Sequence, residues 1–135
     1  MTEQELNIVH ELKIKVDSAE KYLAALRRTA ENLVPIIDGL PHSQNFESRV
    51  EKIALKIAEG DRELLTLQKT MAEKAIALAD KIRSSDLTSQ EQEILILRYV
   101  ACMRFRDISF EKNLSDTRVY RVHAEARNKI LKKYS

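Results

Sequence analysis

Asp116, Thr117, Tyr120 and Arg121 are spaced so that a helix sets all four side chains on one face. Each can bond to the edge of a nucleic-acid base. The Arg121 guanidinium can grip guanine O6 and N7 in a fork, and Asp116 can accept from cytosine N4. Thr117 can touch a thymine methyl or donate to a base, and Tyr120 can do either. For Asp116 a second role stays open, because a carboxylate also favours a helix N-terminus electrostatically. Around this set stand Arg104, Lys112, Ser115, Arg118, Arg127 and Lys129, whose donors suit phosphate oxygens. Phosphate contacts supply affinity without sequence information. Lys132 and Lys133 can join them or simply complement the negative end of a helix.

These side chains need a mount. Val119 and Val122 must point inward to hold their helix down, which turns the four base-edge candidates outward. Ile108 and Leu114 fall where two helices crossing steeply must pack, and Ser109 is small at the closest approach. Asn113 stands at the turn, where a left-handed backbone is needed and Asn is the best substitute for Gly. Ser115 offers a hydroxyl to cap the next helix. The spacing predicts a helix over Phe105–Lys112, a turn at Asn113–Leu114 and a helix from Asp116 to about Lys133. Upstream, Thr88 and Glu91 have the form of a capping box. A helix is expected to start there and run through Ile94, Leu95, Leu97, Arg98, Tyr99 and Val100 to about Cys102. Residues 85–135 thus read as a three-helix unit containing a helix-turn-helix, a device for entering the DNA major groove.

Residues 1–84 read as a long antiparallel helical hairpin. Leu12, Val16, Ala19, Leu23, Leu26, Ala30 and Leu33 recur at spacings of 4, 3, 4, 3, 4, 3, a coiled-coil-like seam. The first helix is expected over Thr2–Val34, ended by Pro35, about 45–50 Å long at ~1.5 Å per residue. A turn-rich connection, Asp38 to Asn45, leads to a second helix over Phe46–Arg83. Its stripe is Val50, Ile53, Ile57, Gly60, Leu64, Leu67, Met71, Ala75, Leu78 and Ile82. Gly60-Asp61 predicts a bend, since Gly weakens a helix and Asp can cap a restart. The polar stretch Ser84–Gln90 marks the boundary between the two parts. A two-helix hairpin has one interface and little else to bury, which favours a homodimer through the N-terminal helices over a self-sufficient hairpin.

Composition agrees with an all-α fold: the 135 residues include only two Gly and two Pro, and 33% are charged. A sheet protein needs a turn signal about every ten residues, and these are missing. The charge is unevenly placed. Residues 1–86 carry 13 Lys and Arg against 15 Asp and Glu, whereas residues 87–135 carry 10 against 6. The positive excess therefore falls on the segment with base-edge chemistry. The lone Cys102 excludes an internal disulfide and, within an apolar helical stretch, reads as a buried structural thiol. His10, His42 and His123 are too scattered for a metal site, and His123 is expected to make a local hydrogen bond or a phosphate contact. No phosphate-cradling Gly loop and no nucleophile–base set occurs, so neither catalysis nor a cofactor is expected. No apolar run reaches the roughly 18 residues of a membrane span, so the expected setting is the cytoplasm.

At Leu87-Thr-Ser-Gln-Glu-Gln-Glu-Ile-Leu-Ile-Leu-Arg-Tyr99 the sequence is similar to the opening of region 4 of bacterial sigma factors. Asp107-Ile-Ser and Leu114-Ser-Asp-Thr-Arg-Val119 continue the likeness. Val119-Tyr-Arg-Val-His-Ala-Glu-Ala126 more closely resembles a phage and prophage family of region-4-like proteins, including the ArpU-type and RinA-type regulators of late transcription. The likeness covers about 48 residues, while the N-terminal part agrees only in general plan. Lys112 stands where that family usually carries Leu, Asn113 where Gly is usual, and Arg127 where an apolar residue is common. The resemblance implies a sequence-specific transcription regulator that binds double-stranded DNA at a promoter, with RNA polymerase as a further partner. Asp116, Thr117, Tyr120 and Arg121 then take the base-reading positions. Two other functions compete: a DNA-packaging component of the small-terminase kind, and a helical protein-interaction module with a degenerate helix-turn-helix.

Overall fold

The computed structural model describes the backbone of residues 1–37 and 44–134, and the side chains of 1–33 and 48–132. Every regular element among them is helical: α1 (Glu3–Ile37), α2 (Gln44–Arg83), α3 (Ser89–Leu95), a π-helical turn (Ile96–Val100), α4 (Phe105–Lys112) and α5 (Asp116–Tyr134). None of these helices is long and apolar enough to cross a membrane. The protein is all-α, a long helical hairpin followed by short helices. α1 runs two residues past Pro35 before it ends, consistent with a proline that removes one hydrogen bond only in the last turn. Of the expected connection Asp38–Asn45, residues 38–43 lie outside the described residues.

Two compact units share the long helices. One comprises residues 1–13 and 70–135, the other residues 14–69. The expected boundary at 84/85 is therefore not where contacts thin out, and the physical reason is a common core. Met1, Leu6 and Val9 of α1, Leu78 and Ile82 of α2, Leu95, Tyr99, and Ala126 and Ile130 of α5 bury one another. The start of α1 and the end of α2 thus complete this core together with the helices that follow them. The polar stretch after α2 is folded as well. The Gln92 side-chain amide donates to the carbonyls of Ser85 at 3.2 Å and Leu87 at 3.1 Å.

A second cluster of Ile94, Ile108, Val119 and Val122 joins α3, α4 and α5, with Leu97, Met103, Phe105 and Leu114 packed against it. The turn between α4 and α5 follows from Asn113, at φ 55° and ψ 40°. Its N–H and that of Leu114 return to the carbonyls of Phe110 at 3.4 Å and Ser109 at 3.0 Å, the paired closure of a Schellman motif. The expectation that α3 continues as a regular helix to Cys102 is corrected. After Leu95 the helix widens, Ala101 N–H reaching back to Ile96 O at 2.9 Å. Cys102 then adopts φ 58° and reverses the chain, so it sits half-buried outside any helix. Such a conformation is costly for a residue with a Cβ. It is held by the Met103 N–H on Leu97 O at 3.0 Å and by Arg98 Nη1 on Met103 O at 2.9 Å.

In the unit of residues 14–69, the two seams meet as their spacing predicts. Val16, Leu23 and Gly60 are buried, and Ala19, Leu26, Ala30, Ile53, Ile57, Leu64 and Leu67 are half-buried, whereas Val50 at the start of the expected α2 stripe is exposed. The helix is continuous through Gly60, with no restart at Asp61. Gly60 is there because Leu23 occupies its missing side chain's place: a Cβ on it would collide with Leu23 Cδ2. Asp61 instead accepts from Arg27 Nη2 at 2.6 Å. Gly60→Val is expected to cost about 1–3 kcal/mol through overpacking, visible as a lower Tm in thermal circular dichroism. The cost should shrink in a Leu23→Ala background. Equal costs in both backgrounds would mean that Leu23 does not set the constraint.

Candidate nucleic-acid interface

The outward face of α5 is built from its inward one. Val119, Val122, Ala126 and Ile130 are buried at spacings of 3, 4 and 4, which fixes the roll of the helix. Asp116, Thr117, Tyr120 and Arg121 consequently all lie exposed on the proximal half of α5. The Ser115 hydroxyl accepts from Arg118 N–H at 3.1 Å and so caps the helix. The Phe105 ring of α4 packs against Tyr120 at 4.7 Å between centroids, which ties the first turn of α4 to the second turn of α5.

The six phosphate-contact candidates separate into two kinds. Arg104, Ser115 and Arg118 are exposed where α4 and α5 begin, and the partner of the Arg118 guanidinium is the neutral Gln90 Oε1 at 3.3 Å. Lys112, Arg127 and Lys129 are each paired with a carboxylate. Lys112 meets Glu93 of α3, Arg127 meets Glu3 of α1, and Lys129 Nζ lies 3.0 Å from Glu91 Oε2. Lys112, where the resembling family carries Leu, thus spans from α4 to α3 and keeps its charge half-exposed. Lys132, near the end of α5, is exposed, and Lys133 lies outside the described side chains.

Glu91 does more than its place in a capping box implies. Both bonds of the box form, Thr88 N–H to Glu91 Oε1 at 3.1 Å and Glu91 N–H to Thr88 Oγ1 at 3.2 Å. The residue is also 5% exposed. Burial pushes its carboxyl up, but the bonds from Thr88 and Lys129 outweigh that and hold it below the usual carboxylate range. The pairing with Lys129 spans 38 residues, so no local spacing announces it.

A ring cluster not evident in the sequence lies between the π-helical turn, α4 and α5. Tyr99 stacks on His123 with its hydroxyl 2.7 Å from Nε2, Phe105 meets His123 edge-on at 4.8 Å, and Arg98 caps Phe105 at 4.3 Å. His123 thus makes the local hydrogen bond rather than a solvent-facing contact. Burial, then the nearby Arg98 and Arg127 guanidinium groups, push its imidazole down from 6.5 to about 4. Among the described residues, no group of three His, Cys, Asp or Glu side chains could hold a metal ion.

Comparison with protein-family models, with curated proteins and with solved structures finds no match.

Because the folded His123 resists protonation, the unfolded chain binds its proton first as pH falls. Its contribution to stability is therefore complete above pH 6.5 and lost progressively down to about pH 4. Glu5 and Glu91, both lowered from 4.5, add their losses only below that value. The Tm of the unsubstituted chain should fall between pH 6.5 and 4.5 more steeply than that of His123→Gln. Parallel Tm profiles would show that His123 is not the group titrating there.

Proposed function

We propose that this protein is a sequence-specific DNA-binding transcription regulator, in which α4, the Asn113 turn and α5 form a helix-turn-helix. The observation that carries the reading is the exposed quartet Asp116, Thr117, Tyr120 and Arg121, on a helix whose opposite face is buried. Arg121 makes no side-chain hydrogen bond or ion pair among the described residues, so its guanidinium fork faces solvent ready for guanine. The resemblance of residues 87–134 to sigma region 4 and to phage regulators of late transcription points the same way. The protein acts by binding in the cytoplasm, without catalysis, at a promoter of phage or prophage origin.

Phe110, 87% exposed on α4, favours an additional protein contact on the same unit. RNA polymerase is the partner that the resemblance implies.

A homodimer through the N-terminal helices is supported by the thinness of the 14–69 unit. It buries few side chains yet exposes Ile14, Tyr22, Leu55 and Leu65. Two readers on one dimer imply a site of two half-sites.

The DNA-reading proposal is tested by retention of fragments from a host or prophage genome. Selective retention should weaken about 10- to 100-fold in Arg121→Ala, the worth of one forked base contact. Equal, steeply salt-dependent binding of every fragment would sink it. For the dimer, sedimentation should return twice the 15.6 kDa chain mass, reduced to a single chain by Leu65→Glu. A monomeric parent chain refutes that part, and a ring of many copies favours a packaging role instead.

A further inference from the structure

We infer that the DNA phosphate footprint is confined to the proximal ends of α4 and α5, with Arg104, Arg106 and Arg118 as its cations, while Lys112, Arg127 and Lys129 take no part. The inference rests on the DNA-binding reading and assigns a role to Arg106, which neither charge counts nor the resemblance single out.

Pairing divides the basic residues. Arg104 and Arg106 are exposed, and neither makes a side-chain hydrogen bond or ion pair among the described residues. Arg118 leans on the uncharged Gln90 and keeps its full charge. Lys112, Arg127 and Lys129 each lie against a carboxylate of another helix. A cation already matched by a carboxylate presents little net charge to a phosphate and holds few condensed counterions to exchange. Surface ion pairs alone are weak, and Lys129 has a side chain 58% exposed. Its partner decides the matter: the Glu91 side chain is 6% exposed, and pulling Lys129 away strands a buried carboxylate.

Geometry agrees with the pairing. The Phe105–Tyr120 contact at 4.7 Å brings the first turn of α4, with Arg104 and Arg106 on either side of Phe105, against the second turn of α5. Those two arginines therefore stand beside the base-reading quartet. Beyond Arg121 the helix is claimed by the core, through Ala126 and Ile130, and Arg127 is drawn to Glu3 of α1. The end of α5 is a support for the fold, and its start is the reading head.

The test is the salt dependence of binding between the full chain and a fluorescent mixed-sequence DNA duplex. Arg104→Gln, Arg106→Gln and Arg118→Gln should each reduce the slope of log K against log salt by about 0.9. Lys112→Gln, Arg127→Gln and Lys129→Gln should leave the slope unchanged, with Lys129→Gln lowering Tm. Because those variants disturb ion pairs, Glu93→Gln supplies the converse: it releases Lys112 and should steepen the slope. A duplex-binding chain whose slope falls for Lys129→Gln and not for Arg106→Gln overturns the partition and leaves the DNA reading standing. Failure of the unsubstituted chain to bind duplex overturns both.

Discussion

The structure depends on one shared apolar core, in which Leu95 and Tyr99 meet side chains from α1, α2 and α5. Each large aliphatic side chain fully buried there contributes about 1.5–3 kcal/mol. The consequence is that the candidate reading helix shares a core with the start of α1 and the end of α2 as well as with α3. Ala126 and Ile130 hold α5 against Met1, Leu6 and Val9, so the stem of the hairpin is the floor on which α5 lies. Residues 1–13 and 70–135 form a single unit for this reason.

Polar contacts then set what the surface offers. Glu91 closes the N-terminus of α3 and tethers Lys129 of α5, while Glu93 and Glu3 engage Lys112 and Arg127. Within α4 and α5, three cations, Lys112, Arg127 and Lys129, are thereby matched by carboxylates, while Arg118 near the start of α5 meets only the neutral Gln90. The buried ring cluster works in the same direction. His123 stays neutral under Tyr99 and Phe105, so the middle of α5 meets its supports without adding a third cation beside Arg98 and Arg127.

Local backbone geometry makes these contacts possible. Among the described residues, two with a Cβ adopt left-handed conformations, Cys102 and Asn113, and each reverses the chain at one end of α4. Asn tolerates that conformation well, and the two returning N–H groups at the Schellman closure stabilise it. Cys102 has no such intrinsic aptitude, and its conformation is imposed by the widened turn before it and by the Arg98 bond to Met103. In residues 14–69 the equivalent economy is Gly60, whose value lies in the space it yields to Leu23.

Much of the fold was legible because its signals are local. The heptad positions of α1, the bounds of α4, the left-handed Asn113, the Ser115 cap and the Thr88–Glu91 box each depend on residues within a turn or two. The outward direction of Asp116, Thr117, Tyr120 and Arg121 was legible too, since period and burial at Val119 and Val122 determine it. The start of the core at Met1 and Leu6 lies one residue off the backward continuation of the seam from Leu12, and the widening after Leu95 leaves no mark in composition. What the sequence by itself determined is therefore an all-helical chain with an outward face on α5 of known residues. Only the tertiary structure decided which cations on that face are already paired, where Gly60 and Cys102 are constrained, and that α5 and the hairpin share one core. Cys102 is held by bonds no more than six residues apart, but the other outcomes rest on contacts between residues 19 to more than 120 positions apart, such as Glu93 with Lys112, Leu23 with Gly60 and Glu3 with Arg127. Their partners are chosen by how whole helices pack, which no local spacing encodes.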